Sequence, residues 1–117
     1  MEYRFINTEY IDSVAGGDNS IIAEIINMFR DQVIEFNNEM KRLYEEKQYH
    51  NLGLLAHKAK SSVAIMGMSD LAVMLKTFEL EAKENKAVEN YESYIKRFED
   101  DTAEAIKELD DLLKKVS

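Results

Sequence analysis

The stretch from Ala56 to Gly67, AHKAKSSVAIMG, places a histidine beside lysines and serines in an otherwise acidic chain. A neutral imidazole is a good nucleophile near pH 7 and can carry a phosphoryl group on a ring nitrogen. Such a group brings close to two negative charges, which a nearby ammonium group stabilises. At helical spacing, Lys60 lies one turn after His57 on the same face. The stretch is therefore compatible with phosphoryl transfer, in which His57 would be the phosphoryl acceptor and Lys60 the stabilising cation.

The residues that share a helix face with His57 are small. Gly53 precedes it by four residues, Ser61 follows it by four and Ala64 by seven, and these offsets bring side chains to one face of a helix. We therefore expect an exposed imidazole with room for a large partner, and we place Lys58 at the same surface. The spacing alone leaves open the alternative that His57 is an ordinary surface histidine.

The remaining pattern predicts the elements that position His57. The 117 residues contain no proline and four glycines, and apolar residues recur three and four apart in four segments. These segments run over Ile22 to Leu43, Leu52 to Met66, Leu71 to Ala82 and Tyr91 to Val116. A shorter helix is expected over roughly Thr8 to Val14. Because strand-like alternation is absent, we predict one all-α domain over residues 1–117, an antiparallel up-down four-helix bundle with a short extra N-terminal helix.

Turn-forming residues predict where the helices end. Gly16 to Asn19 should end the first helix and supply caps for the next. The periodicity lapses near Gln48 to Asn51. Gly67, followed by Ser69-Asp70, is typical of a helix end and a new N-cap. The stretch from Lys83 to Asn90 is polar and is predicted to be a loop.

The histidine stretch resembles the signature of histidine-containing phosphotransfer (HPt) domains, His-x-x-Lys-Gly-Ser followed by a glycine near the end of the helix. Here the stretch from His57 to Ser62 reads HKAKSS, and Gly67 stands at the later position. The number, order and lengths of the predicted helices are also similar to that family over nearly the whole chain. One departure is Ser61, which stands in place of the family's glycine. Serine is still small, so we expect access to His57 to be kept, with a tighter closest approach for a partner.

The resemblance implies a phosphorelay carrier of a two-component signalling system. His57 would accept a phosphoryl group from the aspartyl phosphate of a response-regulator receiver domain and pass it to another receiver, with a hybrid histidine kinase as a further partner. Lys60 would stabilise the phosphate, and Gly67 would form the turn after the helix. Glu79 falls where family members often place a polar side chain near the imidazole.

The resemblance also implies what the chain does not need. In this family the receiver supplies the acidic pocket and Mg²⁺, so we expect no cofactor, metal or nucleotide site here, and a phosphotransfer intermediate rather than an enzyme. The alternative is a helical interaction module that docks a receiver or kinase without carrying phosphate.

The first long helix carries more apolar residues than bundle packing requires. Ile21, Ile25 and Met28 lie beside its core seam and widen the apolar arc. Two interpretations stay open: the short N-terminal helix covers these residues, or they form an exposed patch beside His57 that docks a receiver. Transient signalling contacts are small, so a modest patch would suffice.

The composition argues against several other classes of function. A net charge of −8 opposes binding to a polyanion, so no nucleic-acid partner is expected. No apolar run approaches the roughly 20 residues needed to cross a bilayer, so we expect no membrane segment. The absence of cysteine and of a signal-peptide pattern favours the cytoplasm. An acidic surface favours a monomer.

The motifs of metal and nucleotide sites are missing as well. Carboxylate-bridged di-metal bundles use Glu-x-x-His pairs, but Lys47 and Leu54 stand three residues before His50 and His57. Glycine-rich phosphate loops are absent. A self-contained enzyme is therefore not expected, although a metal- or haem-binding bundle that uses His50 and His57 stays open as a third alternative.

Overall fold

The computed structural model describes residues 2–116, which fold into five α-helices without a β-strand. The helices are α1 (Thr8–Ala15), α2 (Asn19–Glu45), α3 (Tyr49–Ile65), α4 (Ser69–Lys83) and α5 (Tyr91–Val116), with a 3₁₀ turn (Val88–Asn90) leading into α5. The prediction of an all-α chain with a short N-terminal helix is confirmed. Within the same residues, no helix combines the length and the apolar character needed to cross a membrane.

The breaks between the helices follow the turn residues of the sequence, with one difference. Gly16 ends α1 in the left-handed conformation (φ 63°), and Asp18 caps α2 because its carboxylate accepts two backbone N–H groups of the first turn. Gly67, with φ 75°, follows the end of α3. Ser69 is the first residue of α4 rather than its cap, since Met68 holds the cap position and its side chain makes no capping hydrogen bond.

Most of the predicted seam residues are buried in one apolar core. Four of them are only half-buried at its edge: Phe36, Leu55, Leu112 and Val116. The buried face of α3 is also wider than predicted, because Gly53 and Ala56 are buried together with Ala59 and Val63. Ala56 lies in the apolar core, whereas Gly53 is buried against α4.

The most extensive helix–helix contact joins α3 and α4. Gly53 makes this close packing possible, because a Cβ atom at this position would lie 3.0 Å from the backbone oxygen of Glu79 and 3.0 Å from the backbone nitrogen of Lys83. The other contacts join α2 to α3 and α5, α4 to α5, and α1 to both α2 and α3. The α3–α4 pair therefore holds two backbones close together beneath His57.

The segment before α1 is fixed by a buried carboxylate on α5. Glu108 accepts hydrogen bonds from the successive backbone N–H groups of residues 4–6. A buried carboxylate is unfavourable unless it is hydrogen-bonded, and these three donors satisfy it. The backbone N–H of Asn7 also donates to the carbonyl of Met66 at the end of α3, 3.0 Å away. The N-terminal segment thereby links α5 to the end of the histidine helix.

Candidate functional site

His57 lies on the outer side of α3, with 55% of its side chain exposed. Its Nδ1 atom lies 3.1 Å from Oε1 of Glu79 on α4, which is hydrogen-bonding distance. The prediction of an exposed imidazole is confirmed, and the carboxylate that the resemblance placed near the ring contacts it.

Glu79 reaches His57 because α3 and α4 run in opposite directions where they touch. His50 approaches the backbone of Lys83, whereas His57, two turns later on α3, approaches Glu79, one turn earlier on α4. Helical side chains lean towards the N-terminus of their own helix. The backbone oxygen of Glu79 lies level with Gly53, so its side chain leans along α3 towards His57.

Three lysine side chains surround the same carboxylate. Lys83 Nζ donates a hydrogen bond to Oε2 of Glu79 at 2.8 Å. The Nζ atoms of Lys60 and Lys76 lie 3.7 and 3.9 Å from Oε1. The Glu79 side chain itself is only 4% exposed, so the carboxylate lies beneath a layer formed by the imidazole and the ammonium groups.

This setting keeps Glu79 ionised. The hydrogen bond from Lys83 is the main cause that lowers the pKa of the Glu79 carboxyl from its ordinary value of 4.5 to about 2, and burial opposes it. The hydrogen bond and charge of His57 and the charge of Lys76 also lower this pKa. Because one carboxylate faces three ammonium groups, the site keeps an excess of positive charge on a chain whose net charge is −8. Such an excess favours an incoming anion.

The hydrogen bond to Glu79 assigns the proton of the neutral imidazole. An ionised carboxylate only accepts hydrogen bonds, so Nδ1 carries the hydrogen and donates it to Glu79. Nε2, at the other side of the ring, then has a free lone pair. Since more than half of the side chain is exposed, Nε2 is the nitrogen that can attack an electrophile arriving from solvent.

The other predicted residues of the histidine helix divide into exposed and buried positions. Lys58 and Ser61 are exposed, and Ala64 is half-buried. Gly53 is buried against α4, so its expected place in an exposed row beside His57 is wrong. Its missing side chain admits the backbone of α4, and it provides no clearance for a partner.

An apolar groove lies between α2 and the histidine helix. Ile21 and Met28 are 40% and 60% exposed, whereas Ile25 is half-buried. The groove has a volume of about 180 Å³. Its lining comes from α1, α2 and α3 and their ends: Val14, Ile25, Met28, Phe29, Gln32, Ser61, Ser62, Ile65 and Met66. The short helix α1 thus contributes one wall and leaves Ile21 and Met28 exposed, so it covers these residues only in part. Docking of a receiver at this patch stays a prediction.

Comparison with protein-family models, curated proteins and solved structures found no match. The function of the site is therefore inferred from its own residues and geometry.

Lys76, Lys83 and Ile65 belong to the site but were not predicted from the sequence. Lys76 and Lys83 flank Glu79 at offsets of three and four on α4, a spacing that could have been read from the chain once Glu79 was chosen. Ile65 is 40% exposed on the histidine helix and lines the apolar groove.

The geometry does not bring the two histidines together. The offset of seven positions from His50 to His57 corresponds to about 10 Å along α3, whereas ligands of one ion must each lie within about 2.3 Å of it. His50 Nδ1 lies 3.5 Å from the backbone oxygen of Lys83. Across residues 2–116, no group of three or more His, Cys, Asp or Glu side chains is arranged to hold a metal ion.

Proposed function

We propose that this protein is an HPt-type phosphorelay carrier that accepts a phosphoryl group on Nε2 of His57 and passes it on. The observation that carries the proposal is the half-exposed imidazole whose Nδ1 is hydrogen-bonded to a buried carboxylate, which Lys60 and Lys76 also approach. The carboxylate orients the ring, and the lysines favour the negative charge that the phosphoryl group brings.

The transfer step follows from the positions of these atoms. The Nε2 lone pair attacks the phosphorus of an aspartyl phosphate on the partner, the bond between phosphorus and the carboxyl oxygen breaks, and the aspartate leaves as a carboxylate. The hydrogen stays on Nδ1, so the ring becomes positively charged as the new N–P bond forms. Glu79, 3.1 Å away, stabilises that charge. Transfer to the next receiver reverses these steps.

Lys60 is the first cation for the phosphoryl group. It follows His57 by one turn, and its side chain is 25% exposed, with Nζ 3.7 Å from Oε1 of Glu79. At that distance it is attracted by charge without a hydrogen bond of normal length. It can therefore turn towards phosphoryl oxygens on Nε2 without breaking a strong contact.

The bundle arrangement of the long helices is part of the proposal. The contacts α2–α3, α3–α4, α4–α5 and α5–α2 close a ring of four helices. Short connections between long neighbouring helices favour an antiparallel up-down order. Such a bundle presents one helix face as a rigid platform for His57.

The partner that fits this platform is a receiver domain. The apolar groove beside Ser61, with Met28 at its rim, provides a docking surface adjacent to the histidine. The positive charge around His57 suits the acidic phosphorylation pocket of a receiver. The cytoplasmic location, the monomeric state and the kinase partner stay predictions.

Phosphotransfer from a phosphorylated receiver tests the proposal. The purified chain is incubated with radiolabelled receiver phosphate, and an acid-labile, base-stable label on the chain is the expected result. His57→Gln should abolish the label, whereas His50→Gln, the matched change at the other histidine of α3, should leave it. Absence of label across several receivers, or equal labelling of His57→Gln, overturns the carrier function. Receiver binding without label would indicate the interaction module instead.

A further inference from the structure

The three lysines around Glu79 are held in two different ways. Lys83 makes a hydrogen bond of 2.8 Å to Oε2. Lys60 and Lys76 lie 3.7 and 3.9 Å from Oε1, beyond the normal hydrogen-bond length of about 3 Å. The carboxylate therefore has one firmly bound lysine on one oxygen and two loosely held lysines on the other.

Oε1 is already occupied by the imidazole. His57 Nδ1 lies 3.1 Å from it, so the two loosely held ammonium groups are attracted to this oxygen mainly by charge. Lys76 is also the most exposed of the three lysines, with 51% of its side chain accessible. The Lys76 ammonium group and the imidazole both lie next to Oε1 of Glu79, so only this oxygen atom stands between them.

We propose that Lys76 is a second phosphoryl-binding cation, which leaves Oε1 of Glu79 for the phosphoryl oxygens when His57 is phosphorylated, while Lys83 remains on Oε2. This inference rests on the proposed function and adds a residue that the HPt signature does not contain. A phosphoryl group carries about −1.5 to −2 charges at pH 7, more than the carboxylate that Lys76 leaves. The exposed Lys76 ammonium moves at little desolvation cost, and Lys83 keeps Glu79 compensated.

The ionisation of the phosphoryl group itself reports which lysine binds it. His57 is phosphorylated chemically with phosphoramidate, whose P–N bond breaks with loss of ammonia as the new bond to the ring nitrogen forms. This route needs no receiver, so it separates the role of Lys76 from the transfer function. The pH dependence of the ³¹P chemical shift then gives the second ionisation of phosphohistidine in each variant.

Lys76→Met and Lys83→Met form a matched pair. Each removes one positive charge from α4, and each lysine contacts Glu79. A bound ammonium favours the phosphoryl dianion, so Lys76→Met should raise the pH of the ³¹P transition by about 0.7 pH unit, the size expected for charges about 4 Å apart in water. Lys83→Met should move the transition clearly less. Lys76→Arg, which keeps the cation, should restore the wild-type value.

The result that overturns the inference is an unchanged transition in Lys76→Met, or a shift in Lys83→Met of equal or greater size. Far-UV circular dichroism at each pH checks that the helices remain folded, which a change at the exposed Lys76 should not disturb. If chemically phosphorylated His57 shows the Lys76 effect but no receiver transfers to it, the phosphorelay function fails and the cation role stands. Efficient receiver transfer with an unchanged ³¹P transition in Lys76→Met would support the phosphorelay function and overturn the cation role of Lys76.

Discussion

The Nδ1 atom of His57 on α3 lies 3.1 Å from the Oε1 atom of Glu79 on α4, so a half-exposed imidazole is oriented by a buried carboxylate. The two residues stand 22 positions apart in the chain and meet only because α3 and α4 pack closely. This pairing fixes which ring nitrogen carries the hydrogen and which is free to react.

The first prediction concerns the tautomer of His57. Glu79→Gln keeps an oxygen that can accept from Nδ1–H, whereas Glu79→Ala removes it. A hydrogen bond to a charged group contributes about 1.5–3 kcal/mol, so Glu79→Ala should lower the fraction of the Nδ1–H tautomer and slow receiver transfer by about tenfold or more. Imidazole ¹⁵N shifts and transfer rates measure the two effects.

The alanine and glutamine variants together separate orientation from charge. Glu79→Gln should keep the Nδ1–H tautomer, because its amide oxygen replaces the accepting carboxylate oxygen. A loss of that tautomer only in the glutamine variant, or identical ¹⁵N spectra for wild type and the alanine variant, would contradict the orienting role.

The second prediction concerns the apolar groove. Met28→Asp places a charge where the 60% exposed methionine lines the groove. Fully burying such a side chain is worth about 1.5–3 kcal/mol, so receiver binding should weaken by about tenfold or more. The lifetime of chemically formed phosphohistidine should stay unchanged, since Met28 does not contact the lysine cluster around Glu79. Titration of transfer rate against receiver concentration measures the loss.

Ile34 provides the matched control for the groove. It is 62% exposed on the same helix, but its offset of six positions from Met28 places it about 120° away around α2. Ile34→Asp should leave transfer near the wild-type rate. Equal loss in both variants would indicate a general effect of the added charge rather than docking at the groove.

The third prediction concerns the close contact of α3 and α4. In Gly53→Ala the new methyl group would lie 2.9 Å from Lys83 Cγ and 3.0 Å from two backbone atoms of α4. Overpacking of this kind costs about 1–3 kcal/mol, which exceeds the gain of up to about 1 kcal/mol in helix propensity. We expect a net fall in the free energy of unfolding, measured by urea denaturation.

Ser61→Ala is the control for Gly53→Ala because Ser61 is exposed on the same helix. Alanine at this site should raise the free energy of unfolding slightly, by at most about 0.5 kcal/mol. If Gly53→Ala is as stable as Ser61→Ala, the backbones of α3 and α4 are not held at the distance described.

The fourth prediction concerns stability at low pH. The pKa of Glu79 falls from 4.5 in its ordinary setting to about 2 in the folded chain. A lowered folded-state pKa contributes stability that is fully present above about pH 4.5 and is lost as the pH falls through about 2. The free energy of unfolding of wild type relative to that of Glu79→Gln should therefore decrease as the pH falls from about 4.5 to about 2.

Comparison with Glu79→Gln isolates this carboxyl from the other acidic groups, such as Asp18 and Asp111, whose pKa values are also lowered. Urea denaturation of both proteins between pH 2 and pH 6 gives the difference directly. A difference that is constant over this range would show that the ionisation of Glu79 does not stabilise the fold.

Local features of the sequence were sufficient for the helices. The spacing of apolar residues and the turn-forming Gly16 and Gly67 depend on neighbours a few positions away, so the predicted elements and most core positions agree with the structure. The outward direction of His57 followed from the same periodicity. Its place beside Lys60 depends only on one helical turn.

The tertiary structure decided how the site is assembled. Gly53 was predicted to give room to a partner, but it admits the backbone of α4, and this contact sets the register that brings Glu79 to His57. The same register brings Lys76 and Lys83 to the carboxylate. Helical periodicity fixes the face on which a side chain lies, whereas the height of one helix against another depends on packing between residues far apart in the chain. The sequence by itself therefore determined the histidine and its helix, and the packing of α3 on α4 decided which charges surround it.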